Sequence, residues 1–281
     1  MVDTYRPDRL SEALRIRSMR PVELLAGGTD LMVHYKNWAG LDPKFSKPVL
    51  FLDNIAAMKR IDRLGSEICI GASCTLAQIL ADPRLPEVLK RAVDTIAAPA
   101  LKNRATLIGN VCNASPAGDS IPPLIVLNAR ICLESTEGKR ELPIADFITG
   151  PGQTALQESE IATAVLLPES SWNVSYFRKV GTRKANALTK LSLTGLANIA
   201  NGVVQDIRIA FGAVAPTIVR SVELESEIAG YPPARLDIEG IVEKYAPLIR
   251  PIDDQRSTAL YRKTVSLNLL REFLRHAIRE S

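Results

Sequence analysis

The sequence predicts an α+β protein built in two parts, and three observations carry that expectation. Near residue 170 the pattern changes: residues 172–180, 191–199 and 203–214 read as three successive strands of an antiparallel meander. Between the last two stands Asn201-Gly202, a pair suited to the two positive-φ positions of a type I′ hairpin. After Pro216 the chain turns helical over 219–229, 236–248 and 256–280, each stretch with apolar residues at helical spacing. Strands followed by helices argue for a separate segment, a three-stranded antiparallel sheet plus helices, over 172–281.

The part before it, 1–171, mixes the two periods. Residues 11–19 place Ala13, Leu14 and Ile16 on one side of a short amphipathic helix. Residues 22–26 form a short, mostly apolar run that reads as a buried strand, ended by Gly27-Gly28. Thr29 is placed to N-cap a helix running through Asp30 to Trp38, with Asp30 near the positive end of its dipole. Residues 49–52 and 68–70 read as strands, and 76–80 and 85–96 as helices. Residues 106–109 are extended and apolar. A cluster of turn-forming residues follows over 113–119, and Ile121-Pro122-Pro123 opens a helix.

Composition narrows the function classes. The 281 residues are 46% hydrophobic and 23% charged, ordinary for a soluble protein of about two domains. The net charge of +4 is spread along the chain, which argues against a nucleic-acid binder. No apolar run is long enough to predict a membrane span, and no apolar stretch follows the charged first residues as a secretory signal would require. The four cysteines (Cys69, Cys74, Cys112, Cys132) form no C-x-x-C pair, and the histidines are only His34 and His276. A zinc site, an iron–sulfur cluster and a disulfide scaffold are therefore not expected; buried or half-buried thiols in a reducing cytoplasm are. Two histidines also assemble no Ser/His/Asp or Cys/His constellation.

Two loops could hold a phosphate. The first is Leu24-Leu25-Ala26-Gly27-Gly28-Thr29-Asp30-Leu31, a strand, a Gly-Gly turn and a helix start. Glycines let the backbone approach an anion closely. The pattern is neither G-x-G-x-x-G nor a P-loop, and a Gly-Gly pair after a strand is also simply a tight turn. The second is Thr106-Leu107-Ile108-Gly109-Asn110, continuing through Ser115, Ala117 and Asp119. Asn110, Ser115 and backbone amides could bond phosphate oxygens, and Asp119 could accept from ribose hydroxyls or serve as a helix N-cap.

Together these loops carry a resemblance. AGGTDL at 26–31 and TLIGNVCNASPAGDSIPPLIVL at 106–127 resemble the two FAD-binding loops of the molybdenum hydroxylases, the xanthine dehydrogenase and carbon monoxide dehydrogenase family. FRKVGTRKANALTKLSL at 177–193, IRIAFGAVAPTIVR at 207–220 and DQRSTALYRK at 254–263 resemble that family's flavoprotein C-terminal domain, in the same order. The resemblance implies a two-part FAD-binding domain of the vanillyl-alcohol-oxidase-like type (subdomains about 1–55 and 56–171), then the smaller domain. It places the FAD pyrophosphate on Leu24 to Leu31 and on Thr106 to Asn110, including Leu107 and Gly109. Ser115 and Ala117 fall in the matching turn, Asp119 on an acidic residue that contacts the nucleotide, and Ile96 and Ala162 on packing positions. Lys179 falls on a lysine near the isoalloxazine ring; otherwise it is a solvated lysine in a basic run with Arg178, Arg183 and Lys184.

One departure stands out. The family usually has T-I-G-G-N where this chain has Ile108 in place of the first glycine. A β-branched residue disfavours positive φ, so either that position is extended here or the loop moves. His34 reads as a surface or half-buried residue, His276 as a solvated one, and Tyr176 and Phe177 as strand core or a cover for the flavin.

The resemblance implies a non-covalent FAD subunit with no catalytic acid or base of its own. Molybdopterin and two [2Fe-2S] clusters are expected on a large and a small partner subunit, in a dimer of heterotrimers. Electrons would pass from the clusters to FAD and out to NAD⁺ or another acceptor. The blocks at 26–31 and 207–220 look closest to xanthine dehydrogenases, with carbon monoxide, nicotinate and aldehyde enzymes sharing the same subunit. The rival readings are a stand-alone FAD oxidase and a partner-binding chain that has lost FAD.

Overall fold

A computed structural model describes residues 2–183 and 187–278. Lys184 of the basic run, and Arg279 and Glu280 at the end of the last expected helix, lie outside the described residues.

Three short strands, β1 (Thr4–Tyr5), β2 (Glu23–Leu25) and β3 (Val49–Phe51), form a parallel sheet in the order β1-β3-β2. Helix α1 (Leu10–Met19) links the first two and buries Ala13 and Leu14. Its Arg17 donates to the carbonyls of Val22 and Glu160, which ties the helix to both neighbouring sheets. The helix after the Gly-Gly turn, α2, covers only Leu31–His34, shorter than the expected run to Trp38, and Thr29 does not cap it. Asn37 explains the stop. Its side chain accepts from the Trp38 amide and donates to the Asp42 carbonyl, competing with helical backbone bonds.

The next sheet is antiparallel. Strands β4 (Ile61–Leu64), β5 (Glu67–Gly71), β6 (Arg130–Glu134), β7 (Lys139–Pro143), a small hairpin β8 (Ile148–Gly150) and β9 (Gln153–Thr154), and β10 (Ile161–Pro168) follow in the chain. Five of them pair in the order β4-β5-β10-β6-β7. Helix α3 (Leu76–Ala81) starts at a capping box between Thr75 and Gln78. Helix α4 (Glu87–Asp94) buries Val88, Leu89, Ala92 and Val93. A single turn, α5 (Pro99–Lys102), leads to the second loop.

There the expectation of an extended 106–109 is overturned. Residues Leu107–Cys112 form helix α6, because the Thr106 side chain accepts from the Gly109 amide and caps it. Helix α7 (Ile121–Val126) is buried along its whole length, with its prolines in the first turn. Helix α8 (Ile144–Phe147) follows β7.

The last sheet holds β11 (Val174–Val180), β12 (Leu191–Ala200), β13 (Val203–Gly212) and β14 (Val219–Arg220), in that order and antiparallel. It has four strands where three were expected. Arg220 explains the difference: its guanidinium bonds Glu225 and the Ile125 carbonyl, holding 219–220 extended, and helix α9 (Val222–Ile228) starts only after the Ser221 cap. Asn201 and Gly202 both have positive φ, as the hairpin requires. Helices α10 (Ile238–Tyr245) and α11 (Ala259–Glu272) start later than their sequence runs because Asp237 and Thr258 cap them. The chain then passes through a π-helical stretch, Phe273–Ile278.

Two cores result. One lies beneath the first two sheets and holds Leu50, Ile70, Leu89, Leu107, Ile131 and Val165. The other lies between the last sheet and its helices and holds Leu193, Phe211, Tyr245, Leu270 and Phe273. Leu196 and Ala210, on the opposite face of that sheet, belong to the first core. The sheet is thus covered on both faces, and β12 is buried at every residue from Leu191 to Ala197, Ser192 and Thr194 included. Arg208 and Arg220 donate to the carbonyls of Val126 and Ile125 at the C-terminal end of α7, clamping the two parts together.

Candidate functional site

Strand β2 ends at Leu25 and the chain turns through Ala26 and Gly27. A Cβ on Gly27 would overlap the Arg104 carbonyl oxygen, so only glycine permits this backbone contact. Through it the two loops singled out in the sequence meet. Gly28 turns in the left-handed region, φ +72°, which side chains other than those of Asn and Asp would strain. Thr29 and Leu31 are half-buried and Asp30 is exposed. Leu24 packs against the first core and Leu25 is inside it. Beside the contact lies a cavity of about 260 Å³, lined by Ala26, Ser73, Thr75, Arg104 and Thr106 among others.

In the second loop Thr106 is buried and its cap keeps Gly109 without a side chain, since a Cβ there would press on the Thr106 hydroxyl. Gly109 itself is exposed. Leu107 and Ile108 point into the first core. Ile108 is helical and turns its side chain inward, so its β-branch meets no positive φ. The extended backbone expected for this position is not what the structure has.

Asn110 accepts from the Ser120 hydroxyl at 2.7 Å, which links this loop to the next group of residues. Asp119 is only 5% exposed. Its Oδ2 accepts from Lys179 Nζ at 2.7 Å and its Oδ1 from the Thr189 hydroxyl at 2.7 Å. Lys179 also donates to the Thr95 carbonyl at 3.1 Å. Burial pushes the Asp119 carboxyl up, against the pull of Lys179 and Thr189 toward the charged form. Asp119 is therefore not an N-cap; Ser120 holds that position on α7. Lys179 is not a solvated lysine in a basic run, since its side chain is 12% exposed and paired.

Ile96 follows Thr95 directly and is half-buried against the first core. Ser115 accepts from the Ala117 amide within the turn, and the Pro116 carbonyl accepts from Ala213, pinning that turn to the last sheet. Ala162 is buried in the first core at a bulge of β10. Thr189 and the carbonyls of Thr95 and Arg104 were not singled out in the sequence. Thr189 lies in the quoted block 177–193, but its type gives no signal; only the folded contact does.

The remaining candidates keep to structure. His34 and His276 are exposed. Tyr176 packs on the second core beside Phe273, ring centroids 5.5 Å apart, and Phe177 on the first. All four cysteines are free thiols. Burial pushes Cys112 and Cys132 up to about 12 and Cys74 up to about 11, which keeps them protonated. Among the described residues no group of three or more His, Cys, Asp or Glu is placed to hold a metal ion. No described helix is long and apolar enough to cross a membrane.

The arrangement suits a dinucleotide better than a substrate reaction. A Gly-hinged backbone wall can approach a pyrophosphate, and the buried Asp119–Lys179 pair offers an acceptor and a cation behind it. The residues present fit FAD on that ground.

Known proteins agree. Residues 1–170 match the family described as the FAD binding domain in molybdopterin dehydrogenase, and residues 175–277 match the CO dehydrogenase flavoprotein C-terminal domain. A putative xanthine dehydrogenase FAD-binding subunit of Escherichia coli (strain K12) is 28% identical over 288 residues, covering 99% of this chain and 94% of that protein. The carbon monoxide dehydrogenase medium chain of Hydrogenophaga pseudoflava is 25% identical, covering 97% of this chain and 96% of that one. In structure, a chain of the reconstituted CO dehydrogenase from Oligotropha carboxidovorans superposes with a TM-score of 0.90 at 20% identity, covering 100% of this chain and 99% of that one. The chain belongs to the FAD-binding subunit family of the molybdenum hydroxylases and is an oxidoreductase subunit.

Proposed function

We propose that this chain carries FAD between its two loops and relays electrons within a molybdenum hydroxylase. It would take them from iron–sulfur clusters of a small partner subunit and release them to NAD⁺ or another acceptor. Substrate would be oxidised at a molybdopterin centre on a large subunit, in a dimer of heterotrimers. A xanthine-type substrate is supported by the Escherichia coli relative. The observation that carries the reading is the Gly27–Arg104 backbone contact, which makes one continuous wall of two loops 77 residues apart, counting from Gly27 to Arg104.

Bound FAD would supply the redox chemistry; the protein positions it and sets its electrostatics. Ala26 to Asp30 and Thr106 to Asn110 hold the pyrophosphate. Asp119 accepts from the nucleotide, and Lys179 places a cation near the ring. Ile96 and Ala162 contribute apolar packing. The proposal divides the chain at 171/172, with a vanillyl-alcohol-oxidase-like first domain; the division is supported by the second core, which draws only on residues 174–278. A cytoplasmic setting is supported by four free thiols.

The test is a visible spectrum of the purified full chain titrated with FAD, repeated on the complex from its native source. A stoichiometric flavin spectrum is expected. A complex without flavin overturns the reading.

A further inference from the structure

Asp119 is held from two sides by different donors. Lys179 takes Oδ2 and Thr189 takes Oδ1, each at 2.7 Å. Thr189 is 2% exposed, and its hydroxyl has a single proton, which this bond uses. With one oxygen on each donor, the plane of the carboxylate is fixed. Lys179 is fixed in turn, because its second bond goes to the Thr95 carbonyl at the end of α4.

We propose that Thr189 is a positioning residue for the flavin: by donating to Asp119 it keeps that carboxylate charged and oriented, and so sets the net charge that the Asp119–Lys179 pair presents to the redox ring. The proposal rests on the reading above that this pair borders FAD.

The charge logic has a definite sign. A buried carboxylate depends on its donors, and removing one of two leaves the anion less stable. Burial already works against the charged form at Asp119. Lys179 keeps its positive charge when Asp119 loses its negative one. The environment of the ring then becomes more positive, and electrons arriving there are favoured. Valine replaces threonine with the same shape and no hydroxyl, so Thr189→Val isolates the hydrogen bond.

The experiment measures the flavin midpoint potential against a reference dye on the FAD-loaded full chain, or on the complex if flavin loads only there. Thr189→Val, Thr189→Ser, Asp119→Asn and the Val/Asn double variant are compared. Thr189→Val is expected to shift the reduced-to-oxidised ratio toward reduced by about tenfold, the scale of a hydrogen bond to a charged group. Thr189→Ser restores the wild-type potential. In the Asp119→Asn background Thr189→Val has no further effect, because Thr189 acts through Asp119. If the valine variant does not fold, Thr189→Ala takes its place in the same cycle. An unchanged potential, or an equal shift in both backgrounds, overturns the proposal while leaving flavin binding intact. Wild-type protein and complex that hold no flavin overturn the FAD reading itself.

Discussion

Gly27 shows what a single missing methyl decides. Its Cα lies against the Arg104 carbonyl, and any side chain would push the two loops apart. Gly27→Ala is expected to destabilise the fold by about 1–3 kcal/mol, the usual cost of overpacking, and to weaken FAD binding with it. Thermal melting with and without FAD checks both. Asp119 makes a second prediction. Its carboxyl is raised in the folded state, chiefly by burial, so the folded protein holds that proton more tightly than the unfolded chain. The stability this contributes is fully present below the unfolded carboxylate pKa, about 4, and is lost as pH rises through the folded value. Asp119→Asn removes that dependence, so across the acid range the variant loses less stability than wild type as pH rises. Urea midpoints at a series of pH values test the sign. At this scale the sequence was partly legible. The resemblance singles out Lys179 and Asp119, yet their ion pair and the bond from Thr189 join segments 60 and 70 residues apart in the chain. At Ile108 the residue type alone does not reveal that the backbone is helical and the side chain buried.

Elements were legible where a local signal decides them. Asn201-Gly202 marks its hairpin because only certain residues accept two consecutive positive φ values. The Thr106 cap is hidden because Leu107, Ile108 and Gly109 follow it, a short apolar run that mimics a strand. The edge strand Val219–Arg220 was invisible for a different reason: a buried ion pair between Arg220 and Glu225 holds it, and no period in two residues reveals that. The run at β10 carries no alternation either, since strands on both sides and cover on both faces leave Thr163 its one polar side chain. The start of α11 offers a prediction. Asp254 accepts from the buried Arg262, from Arg256, and from the Arg256 and Ser257 amides. These donors, Arg262 first, hold its carboxyl well below the usual carboxylate range. Its stabilisation is present above the unfolded pKa and is lost as pH falls through the folded one. Asp254→Asn leaves the Arg262 charge uncompensated and should cost about 3 kcal/mol at neutral pH. The deficit relative to wild type should shrink in strong acid, as denaturant midpoints at the two pH values would show.

For the molecule as a whole, the sheet β11-β12-β13-β14 is the structural hinge between sequence and function. One face closes the second core, and the other rests on α7 and turns Lys179 onto Asp119, while Thr189, just before β12, takes the second carboxylate oxygen. The site is therefore made by both parts of the chain, and neither loop read alone reveals it. The account stands most directly on the first loop holding an anion. FAD titration followed by the visible spectrum, on wild type, Gly28→Asn and Gly28→Asp, tests that claim. Asparagine and aspartate both tolerate the left-handed backbone at Gly28 and differ in charge alone. The account predicts a stoichiometric flavin spectrum in wild type, measurable binding in Gly28→Asn, and none in Gly28→Asp. Equal flavin binding by the two variants would contradict it.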